Sequence, residues 1–255
     1  MKIAIITGAS SGIGKEFARQ MDRYFTNIDE FWLVARREDK LEELSKHLLH
    51  KTRIFPLDIT QDYNLDELEY EVIRHSAQVC MLINCAGYGL MGHFVNQNRE
   101  EALGMIRLNC EALSNVTHRL IRYMRKGSRI IQLASSAAFV PQTDFAVYAA
   151  TKSYVLSFSR ALNRELSEKG ITVTAVCPGP VDTPFFDIAE KTGSTLAIKK
   201  YTMVSPVAVV KQALKDSYKK KSVSVCSIPI KIFRVFAKLV PHDIILSIMR
   251  LLKSK

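Results

Sequence analysis

The chain has 255 residues, of which 47% are hydrophobic and 24% are charged. This balance excludes an intrinsically disordered protein, and we predict a single globular domain over residues 1–255. The five cysteines are widely spaced and form no CxxC pair, so we expect buried free thiols in a reducing compartment and no bound metal.

The formal net charge of +11 is concentrated towards the C-terminal end of the sequence. Residues 199–255 hold 13 Lys or Arg and two Asp or Glu, whereas the first 198 residues carry equal numbers of basic and acidic side chains. No window has the length and apolarity of a membrane span, and the opening apolar run is too short for a secretory signal. We therefore expect a cytoplasmic protein whose basic surplus belongs to one segment.

Short apolar runs alternate along the chain with longer segments of helical period. The runs are apolar at adjacent positions, which is typical of strands covered on both faces. The alternation predicts an α/β fold, a Rossmann-type doubly wound sheet of seven parallel strands with helices on both faces. Predicted strands are 2–7, 31–35, 53–57, 79–84, 128–135, 171–177 and 222–226, and predicted helices are 12–25, 38–50, 64–77, 99–126, 147–169 and 206–220. Ligands of such sheets bind beyond the carboxyl ends of the strands.

The first predicted strand ends at a turn with glycines at positions 8, 12 and 14, after which a helix begins. Gly8 allows a tight turn, Gly12 lets the backbone approach a phosphate, and Gly14 lets the helix pack close to the strand. The helix N-terminus adds free N–H groups and the positive end of the helix dipole. A glycine trio between a strand and a helix predicts a dinucleotide site.

The residue after the second predicted strand selects the cofactor, because an acid there binds the ribose 2′-hydroxyl of NAD and an arginine accepts the 2′-phosphate of NADP. The chain has Ala35-Arg36-Arg37 at this point and its first acid at Glu38. We predict NADP, with Arg36 as the main contact, and the alternative is that both arginines only face solvent. Asp58 follows the third strand and either accepts from the adenine amino group or caps the next helix.

Tyr148 and Lys152 are four residues apart in a predicted helix, which places them on one face. A free phenol has a pKa of about 10, and we expect the nearby ammonium to lower the pKa of Tyr148. Ser135 and Ser136 end the fifth predicted strand at the same edge of the sheet. A hydroxyl there can donate to a substrate carbonyl oxygen while Tyr148 delivers the proton, although the serine pair can also serve only to form a turn.

These motifs, taken in order, resemble those of the classical short-chain dehydrogenases/reductases over about residues 2–184. Residues 84–87, Asn-Cys-Ala-Gly, are similar to the family's Asn-Asn-Ala-Gly motif, which stabilises the central sheet and borders the adenosine; Cys85 replaces the second Asn. Asn109 matches the asparagine that holds a water in a proton relay towards the lysine. Residues 178–183 resemble the segment that meets the nicotinamide.

The resemblance implies an NADP(H)-dependent oxidoreductase that interconverts a ketone and a secondary alcohol. In this assignment Ser135 holds the carbonyl oxygen, with Ser136 as the alternative, Tyr148 is the acid/base, and Lys152 also binds the nicotinamide ribose. The predicted catalytic residues are Asn109, Ser135, Tyr148 and Lys152. The predicted cofactor-binding residues are Gly8, Ser10, Ser11, Gly12, Ile13, Gly14, Arg36, Asp58, Asn84, Ala86, Gly87, Tyr148, Lys152, Pro178, Gly179, Val181 and Thr183.

We expect a substrate lid over residues 184–204 and an apolar pocket, which suits a steroid-like or acyl-chain substrate. The predicted pocket residues are Tyr88, Met91, Phe94, Phe139, Val140, Phe145, Phe185 and Phe186. Each of these also has an alternative role in the core. The other function considered is a catalytically silent dinucleotide-binding or membrane-associated scaffold, against which the intact Ser-Tyr-Lys-Asn set argues.

Residues 228–252 combine apolar and basic side chains at helical spacing, with Ile232, Phe233, Phe236 and Val240 on one predicted stripe. Such a segment either covers the substrate pocket or a subunit interface, or makes peripheral contact with a membrane. Nucleic-acid binding is disfavoured, because the basic residues alternate with aliphatic ones and no binding motif is present. By resemblance we expect a homodimer or homotetramer that pairs through the two long helices, 99–126 and 147–169.

Overall fold

The computed structural model describes residues 1–191 and 203–253. Its strands form one parallel sheet in the order β3-β2-β1-β4-β5-β6-β7. The strands are β1 Lys2–Thr7, β2 Glu30–Val34, β3 Lys51–Phe55, β4 Gln78–Asn84, β5 Arg129–Leu133, β6 Thr172–Val176 and β7 Val223–Ser224. The helices are α1 Gly12–Tyr24, α2 Glu38–Ser45, α3 Asp62–Arg74, α4 Arg99–Ile106, α5 Leu113–Leu120, α6 Ala146–Glu165, α7 Phe185–Ala189, α8 Pro206–Tyr218, α9 Ile228–Leu239 and α10 His242–Lys253.

The order of the strands reverses beside β1, which confirms the doubly wound α/β prediction. Ile5 in β1 pairs with Trp32 of β2 on one side and with Leu82 of β4 on the other. The crossovers that follow β1 and β4 lead outward in opposite directions, which places a crevice at the carboxyl edge beside these strands. The predicted cofactor-binding and catalytic residues lie at this edge.

Helices cover both faces of the sheet, which explains the runs of adjacent apolar residues. In β1, Ile3 and Ile5 belong to one buried cluster, whereas Ala4 and Ile6 belong to a second cluster on the opposite face. All four side chains are fully buried. Because neighbouring residues of a strand point to opposite faces, only a strand buried on both faces needs apolar residues at consecutive positions.

The predicted helix over 99–126 is interrupted. Between α4 and α5 the chain forms a π-helix over Arg107–Ala112, and a 3₁₀ turn over Ile121–Tyr123 follows α5. A π-helical turn places one extra residue per turn and shifts the side chains that follow it. The inserted segment contains Asn109, one of the predicted catalytic residues.

The two C-terminal helices pack over the carboxyl edge of the sheet. Ala237 of α9 and Ile245 of α10 share a small buried cluster with Val140, and the ring of Phe233 lies 6.3 Å from that of Phe139. The segment 228–252 thus covers part of the site region. None of the described helices is long and apolar enough to cross a membrane.

Only part of the predicted lid over 184–204 is seen. Helix α7 begins it, and Val204 ends it in a bridge to Val181. Residues 192–202, its middle, lie outside the described residues.

Candidate active site

The glycine turn after β1 has the conformation that its sequence predicts. Gly8 has φ +68°, in the left-handed region that favours glycine. A Cβ at position 14 would collide with the carbonyl oxygen of Gly8, so α1 packs against the turn at a distance that no other residue permits. Ser11 occupies the N-cap position of α1, but its side chain makes no hydrogen bond to the helix. Ser11 therefore does not cap the first turn of α1, and the backbone amides of that turn are available to bind an anion.

Arg37 is a site residue to which the sequence reasoning gave only second place. Its guanidinium donates to Ser10 Oγ and to Ser11 Oγ, both at 2.9 Å. Arg36, the predicted main contact, is exposed at the same rim. Its charge also acts on Tyr88: burial raises the pKa of that phenol, and the positive charge of Arg36 offsets part of the rise. Arg37 thus borders the glycine turn, and Arg36 precedes Arg37 in the chain.

Two of the predicted cofactor residues, Asp58 and Asn84, are tied into the fold by hydrogen bonds. Asp58 Oδ1 accepts from the amide and the hydroxyl of Thr60 at 3.0 and 2.8 Å, so it stabilises a turn, and the N-cap of α3 is Gln61. The buried Asn84 Nδ2 donates to both Thr117 Oγ1 and Gln132 Oε1 at 3.0 Å. Both amide protons of Asn84 therefore bond to neighbours within the fold, one on α5 and one on β5.

The loop after β4 is held against the glycine turn. Thr7 Oγ1 accepts from the amides of Cys85 and Ala86 at 3.2 and 3.3 Å. A Cβ at Gly8 would lie 2.7 Å from the Ala86 nitrogen, so the two loops touch at backbone distance. These bonds use only the backbone at positions 85 and 86, so they do not depend on the cysteine side chain at position 85.

The predicted catalytic groups lie together at the carboxyl edge of β5. Lys152 Nζ is 5.6 Å from the centre of the Tyr148 ring and donates to the Leu133 carbonyl at 2.7 Å. The Ser135 side chain lies close enough to Tyr148 to affect the pKa of the phenol, and its Oγ accepts from the Ala137 amide at 3.1 Å. This proximity to Tyr148 favours Ser135 over Ser136 as the hydroxyl that meets a substrate.

Burial dominates the acid–base properties of this pair. It raises the pKa of Tyr148 to about 12, against a smaller lowering by the hydrogen bond with Ser135. It lowers the pKa of Lys152 to about 8. For the chain by itself the pKa of the phenol is therefore raised and not lowered, because desolvation is the dominant cause. Tyr148 is consequently a neutral proton donor at physiological pH.

Asn109 is fully buried and fixes the loop that follows β4. Its Nδ2 donates to the Tyr88 carbonyl at 2.9 Å and to Thr151 Oγ1 at 3.1 Å, and its Oδ1 accepts from the Tyr88 amide at 3.2 Å. Sequence reasoning missed Thr151 as a partner, although its place between Tyr148 and Lys152 was a signal. A Cβ at Gly87 would lie 2.8 Å from Asn109 Oδ1 and 3.5 Å from Lys152 Nζ, so this glycine borders both groups.

A cavity of about 540 Å³ begins at Ser135, Tyr148 and Lys152 and extends under the C-terminal helices. Of the predicted pocket residues, five line it: Met91, Val140, Phe145, Phe185 and Phe186. Phe94 is exposed, and Tyr88 and Phe139 are not among the lining residues. Sequence reasoning assigned no individual residue of α9 or α10 to the pocket, but both helices contribute to its wall: Ile230, Phe233, Phe236, Ile245 and Ile248.

Segment 178–183 forms the remaining side of the cavity, with Pro178, Gly179, Val181 and Thr183 along it.

A family model described as short chain dehydrogenase matches residues 2–193 of this chain. The chain belongs to the short-chain dehydrogenase family. The resemblance seen in the sequence is thereby confirmed.

Similar proteins agree with the assignment of the chain to this family. An uncharacterized oxidoreductase of Staphylococcus epidermidis is 35% identical over 185 residues, which cover 72% of this chain and 79% of the relative. The solved short-chain dehydrogenase from Sphingobium yanoikuyae in complex with NADPH has a TM-score of 0.77 and 30% identity over 89% of each chain. The bulky-bulky ketone specific alcohol dehydrogenase from Comamonas testosteroni has a TM-score of 0.73 and 25% identity, covering 95% of this chain and 96% of that one. This short-chain dehydrogenase is thus an oxidoreductase-family protein with a dinucleotide crevice.

Proposed function

We propose that the chain is an NADP(H)-dependent oxidoreductase that interconverts ketones and secondary alcohols with bulky apolar substituents. One observation carries the proposal. The Tyr148 phenol, beside Ser135 and Lys152, lies at the polar end of a cavity of about 540 Å³ whose other walls are mostly apolar. A carbonyl placed at the phenol has its substituents in contact with those walls.

The crevice fits a nicotinamide dinucleotide. Gly8, Gly12 and Gly14 remove side chains from the turn, and a Cβ at Gly12 would meet the Thr183 side chain at 3.3 Å, so the turn and the 178–183 segment face each other closely. The N-terminus of α1 suits a pyrophosphate. Arg36 and Arg37 at its rim suit a 2′-phosphate, which is why we favour NADP over NAD. The Sphingobium relative was solved with NADPH.

When bound, the dinucleotide supplies a hydride for the carbonyl carbon, and the protein supplies the proton. Ser135 donates to the carbonyl oxygen and orients it. Tyr148, whose pKa burial raises to about 12, is protonated before the reaction and transfers its proton to the developing alkoxide. The Lys152 cation, whose Nζ lies 5.6 Å from the centre of the Tyr148 ring, then stabilises the phenolate by electrostatic attraction.

Asn109 contributes by position in this scheme. Its side chain ties the loop after β4 to Thr151, which precedes Lys152 on α6. Loss of these bonds frees both the loop and the lysine's surroundings. We propose that the relay returning a proton to Tyr148 runs through Lys152 and the region held by Asn109.

The aromatic wall argues for bulky apolar substrates. The Phe145 ring stacks on the Tyr148 ring with 4.2 Å between centres, and the centre of the Phe185 ring lies 5.4 Å from that of Tyr148. Phe233 of α9 lines the far part of the cavity. Such surfaces favour apolar groups on both sides of the carbonyl. The Comamonas relative is named for bulky ketones, in agreement with this assignment.

A substrate series tests the proposal. NADPH consumption should rise from small ketones to ketones with two bulky apolar substituents, with NADH a poorer reductant. Phe233→Ala should raise KM for the bulky ketones and leave small ketones unchanged, whereas Phe94→Ala, exposed outside the cavity, should change neither. Equal turnover of small and bulky ketones would contradict the substrate assignment, and no NADPH oxidation with any of them would contradict the activity.

We also propose pairing of subunits through α4, α5 and α6, the helices that the family resemblance singled out. Their outer surface exposes Ile106 and Tyr154. Sedimentation velocity checks the expected dimer or tetramer.

A further inference from the structure

Helix α9 has two apolar faces, and only one of them is buried. Ile230 and Ala237 point inward and are 8% and 5% exposed, with the half-buried Phe233 beside them. A helix in a globular protein normally buries its apolar side chains and exposes its polar ones. On the outward side, four aliphatic residues at helical spacing remain exposed by 58–77%: Ile228, Ile232, Val235 and Leu239.

Helix α10 continues this outward surface. Ile244 and Ile248, one turn apart, are 51% and 45% exposed, and Phe236 of α9 is 41% exposed. We call these seven residues of the two helices the C-terminal apolar face: Ile228, Ile232, Val235, Phe236, Leu239, Ile244 and Ile248. Two of its members, Phe236 and Ile248, also line the substrate cavity. The mouth of the cavity is therefore bordered by the C-terminal apolar face.

A basic stripe runs beside the apolar face. Lys231, Arg234 and Lys238 follow one another at three- and four-residue spacing on α9, and the two lysines are exposed. Residues 199–255 carry 13 basic and two acidic side chains. Aliphatic residues flanked by lysines on one helical surface match an interface that is apolar inside and anionic at its rim.

We propose that the C-terminal apolar face docks on an anionic lipid bilayer and that the cavity opens towards the lipid. Charge decides between this occupant and a second copy of the chain. A symmetric pair through the face would bring two copies of the basic stripe to one interface with no acidic stripe on α9 to neutralise them, and like charges at an interface are unfavourable. Anionic headgroups neutralise the same stripe. The second part of the proposal rests on the proposed function, because it names membrane-dissolved ketones as the substrates that enter there.

Vesicle sedimentation tests docking without any turnover. The probes are vesicles of phosphatidylcholine alone and of equal parts phosphatidylcholine and phosphatidylglycerol. The wild type should sediment with the anionic vesicles only, and added salt should release part of it. Ile232→Ser/Leu239→Ser should lower the partition coefficient at least about tenfold, because two large apolar side chains no longer enter the interface. The control Leu49→Ser/Val95→Ser changes residues that are 89% and 87% exposed elsewhere and should bind like the wild type.

A charge pair gives the second arm. Lys231→Glu/Lys238→Glu should lower partitioning at least about tenfold, and Lys126→Glu/Lys169→Glu, with the same change in net charge on exposed residues elsewhere, should have little effect. None of these residues lines the cavity, so reduction of a water-soluble ketone without vesicles should be unchanged. Circular dichroism and thermal unfolding verify that each variant is folded.

Absence of wild-type binding to the anionic vesicles overturns the proposal, as does equal binding by the apolar-face variant and its control. Loss of an oligomer in Ile232→Ser/Leu239→Ser, seen by sedimentation velocity with vesicle binding unchanged, identifies a second copy as the occupant and also overturns it. Failure to reduce any soluble ketone refutes the proposed function and leaves the vesicle result standing. If a bilayer-dissolved ketone is reduced no faster from anionic than from neutral vesicles, delivery through the lipid is refuted and docking is not.

Discussion

Lys152 Nζ lies 5.6 Å from the centre of the Tyr148 ring, and both side chains are buried at the same end of the cavity. Burial raises the pKa of the phenol to about 12 and lowers the pKa of the amine to about 8. It therefore favours the neutral form of each group. The phenol is held in the form that donates a proton, and the lysine is held at a cost in stability.

Replacing the lysine should stabilise the free protein. Between the folded pKa of about 8 and the ordinary value of 10.5, the folded protein binds fewer protons at Lys152 than the unfolded chain, so the free energy of unfolding rises with pH across that interval. Lys152→Met removes this penalty and loses the hydrogen bond to Leu133, for a net gain on the order of 2 kcal/mol at neutral pH. The gain should fade above the ordinary pKa of lysine, and activity should be lost.

Urea unfolding at neutral and high pH checks this, with the exposed Lys169→Met as the control that shows no pH-dependent difference from the wild type. A Lys152→Met variant that is less stable than the wild type at neutral pH would show that burial of the amine is not the dominant effect.

Adding one methyl group at Gly87 should disturb catalysis more than folding. The new Cβ would lie 2.8 Å from Asn109 Oδ1, so the Asn109 side chain must shift, whereas the 3.5 Å distance to Lys152 Nζ is an ordinary contact. We expect kcat to fall by about ten- to a hundredfold for such a displacement, with a small change in melting temperature.

A double-mutant cycle separates this effect from a general defect. In an Asn109→Ala background the crowding at Asn109 is gone, so Gly87→Ala should then cost much less than it does in the wild type. Strictly additive losses would mean that the methyl group acts elsewhere.

Arg36 and Arg37 should act on NADPH and not on NADH. Each guanidinium makes charge-assisted contacts to a 2′-phosphate, and we expect Arg36→Ala and Arg37→Ala each to raise the Kd for NADPH by about tenfold or more. The Kd for NADH should change little. Fluorescence titration of both cofactors measures this, with Arg23→Ala as a control on the exposed far end of α1. Equal losses with both cofactors would remove the basis for the NADP assignment.

The sheet was predictable because its signals are local. Apolar runs, the glycine turn and helical period placed the strands of the doubly wound fold, since burial on both faces leaves few alternatives for Ile3 to Ile6. Tyr148, Lys152 and Ser135 followed from their order and spacing, and Asn109 from the family resemblance. The structure then added their neighbours, such as Thr151 beside Asn109, which depend on contacts between distant segments.

Other features could not be found from local patterns. The π-helix at Asn109 breaks a helical period that looks continuous in sequence. The pKa of Tyr148 depends on burial, which residue spacing does not reveal. Choosing between Arg36 and Arg37 requires the directions of the side chains, and it is Arg37 that bonds to Ser10 and Ser11. The predicted stripe of α9 placed Phe233 with Ile232, whereas Phe233 is half-buried in the pocket wall and Ile232 faces outward.

The most direct test of the account is the turnover of a bulky ketone with NADPH by Tyr148→Phe, measured beside Tyr154→Phe. Tyr154 lies on the same helix, is 44% exposed and bonds to Ser114, so it matches the change outside the site. Without the proton donor, kcat should fall by at least about a hundred- to ten-thousandfold while NADPH still binds, and Tyr154→Phe should match the wild type. Turnover by Tyr148→Phe at the rate of Tyr154→Phe would contradict the assignment of the phenol as the acid.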